Sequence, residues 1–412
     1  MVHKTSYGKG IKTCRLYSPF WYLCNKEANK DKFIHDLNSV DDASEEEDLK
    51  NQRRLCIRNN TLFGIRDVYD SMESIPTARS LLCTGPYHQY PVPLCLGLRL
   101  LRILDALNIR QYEFPTHVVH LVQQMYLSLT FEGNISPSIS KLWNLRYLIV
   151  CRHMIIVESD GKSSPDLPTE IWNMRKLNHL QVMGSDLPHP PCEGSLLPNL
   201  LTLSDVSPQS CTKDILERIP KLKKLRIRIE LAPDANEPLS CFDHISHLRE
   251  LKILKCVIVC PKIVSVVVDV PLAPLSIFPP SLEKLTMSGS YGYAWKELSK
   301  ISSLPKLKEL KLQCYAFQGP KWEVHWDEFP ALEFLFIEDI DLVQWKLKDY
   351  KYCFKNLERI SVKHCYKLEK MPSKFGRNLT KIELVYCNPL VETSAKKLKS
   401  DREMNAFNHR LF

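Results

Sequence analysis

The sequence contains no run of 18 apolar residues, and its opening stretch, Met1-Val-His-Lys-Thr-Ser-Tyr-Gly-Lys-Gly-Ile-Lys-Thr-Cys14, has no apolar signal core. These absences speak against a membrane-spanning helix and a secretory signal peptide. No Ser/His/Asp or Cys/His arrangement stands out by its spacing, so no catalytic constellation is expected. A complete G-x-x-x-x-G-K-[ST] loop is also missing. Gly161-Lys-Ser163 matches only its last three positions, and Ile156 stands where the first glycine belongs. Phosphate binding needs the backbone amides of the whole loop, which excludes ATP as a cofactor of this stretch. Cys256-Val-Ile-Val-Cys260 has no second Cys/His pair nearby to complete a zinc site, so no metal is expected.

The 412 residues are 44% hydrophobic and 25% charged, the proportions of an ordinary folded chain. A net charge of +9 suits an acidic partner without demanding nucleic acid. Fifteen cysteines without a signal peptide imply reduced thiols and a cytoplasmic protein. The N-x-[ST] sequons at Asn59, Asn134 and Asn378 are then chance matches.

The dominant feature is a recurring pair of apolar residues one position apart. It is read at Leu127/Leu129, Leu148/Val150, Leu180/Val182, Leu201/Leu203, Leu225/Ile227, Leu251/Ile253, Leu285/Met287, Leu310/Leu312, Leu335/Ile337, Ile360/Val362 and Ile382/Leu384. Weaker copies begin at Leu55/Ile57 and continue through Leu81/Leu82 and Leu101/Leu104. A period of 20–29 residues built on L-x-x-L-x-L marks a leucine-rich repeat. The expected fold is an α/β solenoid, a curved horseshoe with a parallel sheet on its concave face and mostly loop or short helix on the convex face. Such a stack offers an open surface and no closed catalytic pocket, which suits a binding protein better than an enzyme. Cys256, Cys365 and Cys387 each follow a pair by three residues, as Asn60 follows Ile57, where Asn or Cys meets backbone groups at the turn.

Alternation along each strand assigns the side chains: Leu225 and Ile227 inward, Lys224, Arg226 and Arg228 outward. With Lys252, Lys284 and Lys311 on following strands they form an expected basic stripe, interrupted by Glu250 and Glu309. Tyr147 flanks it on one side, Phe334 and Phe336 on the other. Arginine and aromatic side chains are common anchors of protein interfaces. Uninterrupted charge and regular stacking platforms, which single-stranded nucleic acid would want, are lacking.

Ser18-Pro19 opens a predicted helix with Phe20, Leu23, Cys24, Ala28, Ile34 and Leu37 on one face, and the acidic run 41–48 reads as a solvated linker.

Several segments carry more than repeat consensus. Ile135-Ser-Pro-Ser-Ile-Ser-Lys-Leu-Trp-Asn-Leu-Arg-Tyr-Leu148 and Leu167-Pro-Thr-Glu-Ile-Trp-Asn-Met-Arg-Lys-Leu-Asn-His-Leu180 resemble the repeats of plant intracellular immune receptors. Leu203-Ser-Asp-Val-Ser-Pro-Gln-Ser-Cys211, Tyr315-Ala-Phe-Gln-Gly-Pro-Lys-Trp322 and Phe334-Leu-Phe-Ile-Glu-Asp-Ile-Asp-Leu342 resemble the late blight resistance protein homologues of the nightshade family. Those are coiled-coil nucleotide-binding leucine-rich-repeat receptors.

The resemblance implies that 1–38 is a remnant of the winged-helix end of a nucleotide-binding module. There Leu16, Tyr17 and Ser18 occupy the place of a Met-His-Asp-type triplet, so the nucleotide-sensing His and Asp are missing. An acidic linker, 39–52, would lead to about 14 repeats over 53–393 and a C-terminal cap or tail over 394–412. ATP or ADP belongs only to an intact family member, since no P-loop precedes the repeats here. The implied function is recognition in plant innate immunity, through a pathogen effector, a guarded host protein or a nucleotide-binding module in trans. The alternatives are a substrate adaptor of a ubiquitin ligase, which would need an F-box helix bundle near the N-terminus, or a non-functional truncated paralogue.

Overall fold

The structure is a computed structural model. It describes residues 2–5, 13–16, 18–31, 33–44, 51–73, 75, 77–87, 94, 97–151, 167–183, 186–230, 242–259, 275, 278–289, 292–348, 353–373 and 375–408. Tyr17, Gly161-Lys-Ser163, Cys260 and the acidic positions 45–48 lie outside the described residues. The chain divides into two compact units, Met1–Ser210 with Glu217–Lys221, and Cys211–Leu216 with Leu222–Phe412.

In unit 1, β1 (Val2–Thr5) and β2 (Thr13–Leu16) pair antiparallel, and a helix follows over Ser18–Lys30. The helix stops short of the expected apolar face. Phe20 and Leu23 are exposed, whereas Leu37 is fully buried in a strand. That strand, β3 (His35–Leu37), pairs in parallel with β4 (Arg54–Ile57), so the ladder takes in part of 1–38. It continues through β5 (Ser80–Cys83), β6 (Ile103–Gln111), β7 (Tyr126–Phe131), β8 (Tyr147–Cys151), β9 (His179–Val182) and β10 (Thr202–Val206). Parallel strands require a crossover between them. Among the described residues, the crossovers carry 3-10 turns at Thr116–His120, Pro137–Lys141 and Thr169–Asn173.

Unit 2 repeats the scheme with β11 (Lys224–Glu230), β12 (Ile253–Val259), β13 (Lys284–Ser288), β15 (Glu309–Gln313), β18 (Phe334–Glu338), β20 (Arg359–Lys363) and β21 (Lys381–Val385). Its crossovers differ from expectation, because short strands form there as well. β14 (Tyr293–Ala294) pairs with β16 (Phe317–Gln318), and β17 (Lys321–Val324) with β19 (Gln344–Leu347). Beneath them Trp322 stacks between Trp295 and Trp345, with ring centroids 5.0 and 4.9 Å away. A helix over Pro389–Asn408 follows the last strand and buries Val391 and Leu398.

The inward pairs form the core. Leu225, Leu254, Leu285, Leu310 and Leu335 stand in one register row and are completely buried, because a single coil has too little apolar area to fold without neighbours. Two expected pairs are shifted. Leu203, not Leu201, aligns with Leu180; two residues on, Asp205 is buried with φ 62° and accepts a hydrogen bond from Gln181 at 2.9 Å. Leu254 and Cys256, not Leu251 and Ile253, face inward on β12. Cys256 is therefore a core residue and not the turn cysteine expected. Cys365 and Asn60 do serve the turns. The Cys365 thiol donates to the Lys363 carbonyl at 3.2 Å, and the Asn60 amide donates to the Pro86 carbonyl at 3.0 Å.

Each strand of the main ladder from β13 onward, that is β13, β15, β18, β20 and β21, is followed by a left-handed residue: Gly289, Cys314, Asp339, His364 and Tyr386. Their N–H groups continue the ladder, Cys314 to Glu338 O at 3.0 Å, Asp339 to Lys363 O at 3.0 Å, His364 to Val385 O at 2.9 Å. Left-handed backbone costs a residue with a side chain free energy, so the turn imposes it on four residues that would not choose it alone.

Candidate partner-binding face

Unit 2 presents three outward rows. Strand register places Lys224, Ile253, Lys284, Glu309, Phe334, Arg359 and Lys381 in the first. The second runs Arg226, Lys255, Thr286, Lys311, Phe336, Ser361 and Glu383, and the third begins at Arg228 and reaches Glu338 and Lys363. Buried Leu225, Ile227 and Ile229 fix the alternation that turns Lys224, Arg226 and Arg228 outward.

Lys252 does not belong to these rows. Its N–H bonds to the Lys223 carbonyl at 2.9 Å, one position before the strand, and its ammonium pairs with Glu283 at 2.9 Å. Lys255 holds the place beside Arg226 that the sequence reading gave to Lys252. The cause is the shifted frame: Leu251-Lys-Ile-Leu254 is the L-x-x-L half of the repeat, and Cys256 disguises the end of the motif. Glu250 precedes Leu251 in the turn and interrupts no row.

Lys284 and Lys311 meet in the middle of the face at a shared carboxylate. Glu309 bonds Lys284 at 2.8 Å and Lys311 at 2.6 Å. Burial pushes the Glu309 carboxyl up, yet the hydrogen bonds and charges of the two lysines outweigh it and hold its pKa below the ordinary value. The stripe thus carries Lys224, Arg226, Arg228 and Lys255 on β11 and β12, then a centre where one carboxylate partly neutralises two lysines.

Phe334 and Phe336 occupy outward positions but are 7% and 6% exposed, not open anchors. Lys311 and Arg359 lie over the Phe334 ring, 5.7 and 5.0 Å from its centroid, and Lys363 lies 5.9 Å from that of Phe336. Arg359 and Lys363 escaped the sequence reading, although the same alternation around Ile360 and Val362 would have found them. Such cations gain from the ring quadrupole.

Tyr147 lies in unit 1, away from that patch in sequence, in a row with Tyr126 and His179 at centroid distances of 5.9 and 5.8 Å. Of the degenerate triplet, Leu16 ends β2 opposite Val2 and Ser18 opens the first helix. Among the described residues no three His, Cys, Asp or Glu side chains come together to hold a metal ion, and no helix is long and apolar enough to cross a membrane.

No family model matches the chain. Three late blight resistance protein homologues of Solanum demissum are similar to it over nearly its whole length. One is 26% identical over 430 residues, 97% of this chain and 30% of the relative. A second is 27% identical over 413 residues, covering 96% and 31%. A third is 25% identical over 411 residues, covering 94% and 50%. The chain thus spans about a third of the length of the first two relatives and half of the third. Among solved structures, a leucine-rich-repeat protein of Leptospira interrogans is similar at a TM-score of 0.43, with 16% identity, 88% of this chain and 97% of that one covered. An internalin of Listeria monocytogenes gives a TM-score of 0.40, with 13% identity, 78% and 92% covered.

Proposed function

We propose that this leucine-rich-repeat chain acts in plant disease resistance as a cytoplasmic, non-enzymatic recognition module. Its partner would be a pathogen effector, a guarded host protein or a nucleotide-binding module in trans. The observation that carries the reading is the similarity to late blight resistance homologues across 94–97% of the chain. The outward rows of unit 2 supply the chemistry. Lys224, Arg226, Arg228 and Lys255 crowd two adjacent strands, with no carboxylate at the intervening row positions. An acidic patch on a partner would meet this end of the face and would be steered to it at low salt. No cofactor is needed for such binding, and the leucines behind the face hold its spacing.

The test uses the full chain as bait for secreted pathogen proteins and host immune proteins, beside a Lys224→Glu, Arg226→Glu, Arg228→Glu variant. A partner captured by the wild type and lost by the variant supports the reading. A partner held equally by both removes the face assignment. Capture of ubiquitin-ligase scaffold subunits alone would favour the adaptor alternative.

A further inference from the structure

One column of unit 1 is set apart by its charge. The residue just before each strand passes a backbone hydrogen bond from coil to coil. Arg79 donates to Arg53, Arg102 to Arg79 and Met125 to Arg102 at 2.8 Å, Arg146 to Met125 at 2.9 Å and Asn178 to Arg146 at 2.8 Å. Four of these six are exposed arginines, and none is acidic. Among the described residues, no ion pair or side-chain hydrogen bond engages those four guanidinium groups.

The same column in unit 2 is built differently. It runs Lys223, Lys252, Glu283, Lys308, Glu333 and Glu358, and it closes on itself through Lys252–Glu283 at 2.9 Å and Lys308–Glu333 at 3.4 Å. Like charges on neighbouring strands, about 4.8 Å apart, destabilise a sheet unless something answers them. Unit 2 answers them internally; among the described residues, unit 1 does not. The change from lysine to arginine fits that difference, since a guanidinium fork holds a carboxylate at two points.

The neighbouring row, Tyr126, Tyr147 and His179, decides between polymers. Its rings face one another, Tyr147 and His179 being stacked at 30°. Rings engaged in this way offer no platform for bases, which single-stranded nucleic acid requires.

We propose that the arginine column of unit 1 is a docking surface for an extended, carboxylate-rich segment of a partner polypeptide. Arg53, Arg79 and Arg102 cover two strand spacings, about 10 Å, the length of three extended residues. The site goes beyond the unit 2 face, and the two can fail separately.

The test measures fluorescence anisotropy of the full chain with three probes of about twelve units each: a peptide alternating Glu and Ser, its Gln-for-Glu counterpart, and oligothymidylate. The Glu peptide is expected to bind more tightly than the Gln peptide and to weaken as salt rises. Arg53→Gln, Arg79→Gln, Arg102→Gln together should lower its affinity about tenfold, while Lys223→Gln with Lys308→Gln should leave it unchanged. A charge-reversed triple, Arg53→Glu, Arg79→Glu, Arg102→Glu, should instead take up the corresponding Lys peptide, which a merely unfolded variant would not do. Equal binding of the Glu and Gln peptides, or unaltered binding by the Gln triple, overturns the proposal. So does an oligothymidylate affinity that exceeds the peptide's and disappears in that triple.

Discussion

Replacing Glu309 by Gln tests whether the centre of the unit 2 face is held by charge. The substitution keeps the shape but removes the charge that Lys284 and Lys311 share at 2.8 and 2.6 Å. Gln has one acceptor oxygen where Glu has two, so one lysine loses its acceptor and the other keeps a weaker bond to a neutral carbonyl. With about 1.5–3 kcal/mol for a hydrogen bond to a charged group, the loss averages about 1 kcal/mol per contact. The Lys284 side chain is 43% exposed and its share is discounted for screening, whereas Lys311 at 14% is not. The expected loss is therefore about 1.5 kcal/mol, or about 3–6 °C in melting temperature for a unit of this size. The sign of the pH dependence follows from the depressed pKa of Glu309. Its contribution is complete above the unfolded value of 4.5 and fades as pH falls through the lower folded value. Melting followed by circular dichroism should show the full gap between wild type and variant near pH 7, and a shrinking one near pH 3. No gap near pH 7, or the same gap at both, would refute the assignment.

Gly289 has φ 108°, and a Cβ there would lie 2.6 Å from the Ile258 Cβ and 2.8 Å from its carbonyl oxygen. Gly289→Ala should cost about 2–4 kcal/mol by melting, against about 1 kcal/mol for Gly133→Ala, whose φ is 89° but whose surroundings are open. Trp322→Ala removes the middle ring of the Trp295–Trp322–Trp345 stack and should cost about 3–5 kcal/mol, read from chemical denaturation. Cys192 is exposed, and its hydrogen bond to Ser195 lowers its pKa, whereas burial pushes Cys365 up to about 12. A thiol reagent at neutral pH should label Cys192 in the folded protein and reach Cys365 only after denaturation; mass mapping of the labels checks both.

The stacked strands were legible because a parallel ladder repeats its inward leucines at fixed register, and nine of the eleven strong pairs stand where that pattern put them. Both shifts have one cause. Asp205 and Cys256 stand two residues after Leu203 and Leu254, where the pattern looks for a large aliphatic residue, so the frame slides back to Leu201/Leu203 and Leu251/Ile253. That frame puts Lys252 where the structure has Lys255. The exposure of Phe334 and Phe336 was beyond reach, since Arg359 and Lys363 cover them from strands 25 residues or more away in sequence. Nor do the left-handed turns announce themselves: four of the five residues are Cys, Asp, His and Tyr in place of the glycine such backbone favours. The charge contrast between the two columns needed the register of both units, because Arg53 and Lys223 look alike until their neighbours are aligned.

Strand register positions every surface residue named above, and β12 tests it most directly, since two frames assign opposite faces to adjacent residues there. Ile253→Lys and Leu254→Lys should be compared by thermal melting under identical conditions. The structure requires Leu254→Lys to be severely destabilising, because it buries a charge in the leucine row, while Ile253→Lys is tolerated on the outward row beside Lys224 and Lys284. Collapse of the Ile253 variant with survival of the Leu254 variant would contradict the ladder and every surface built on it.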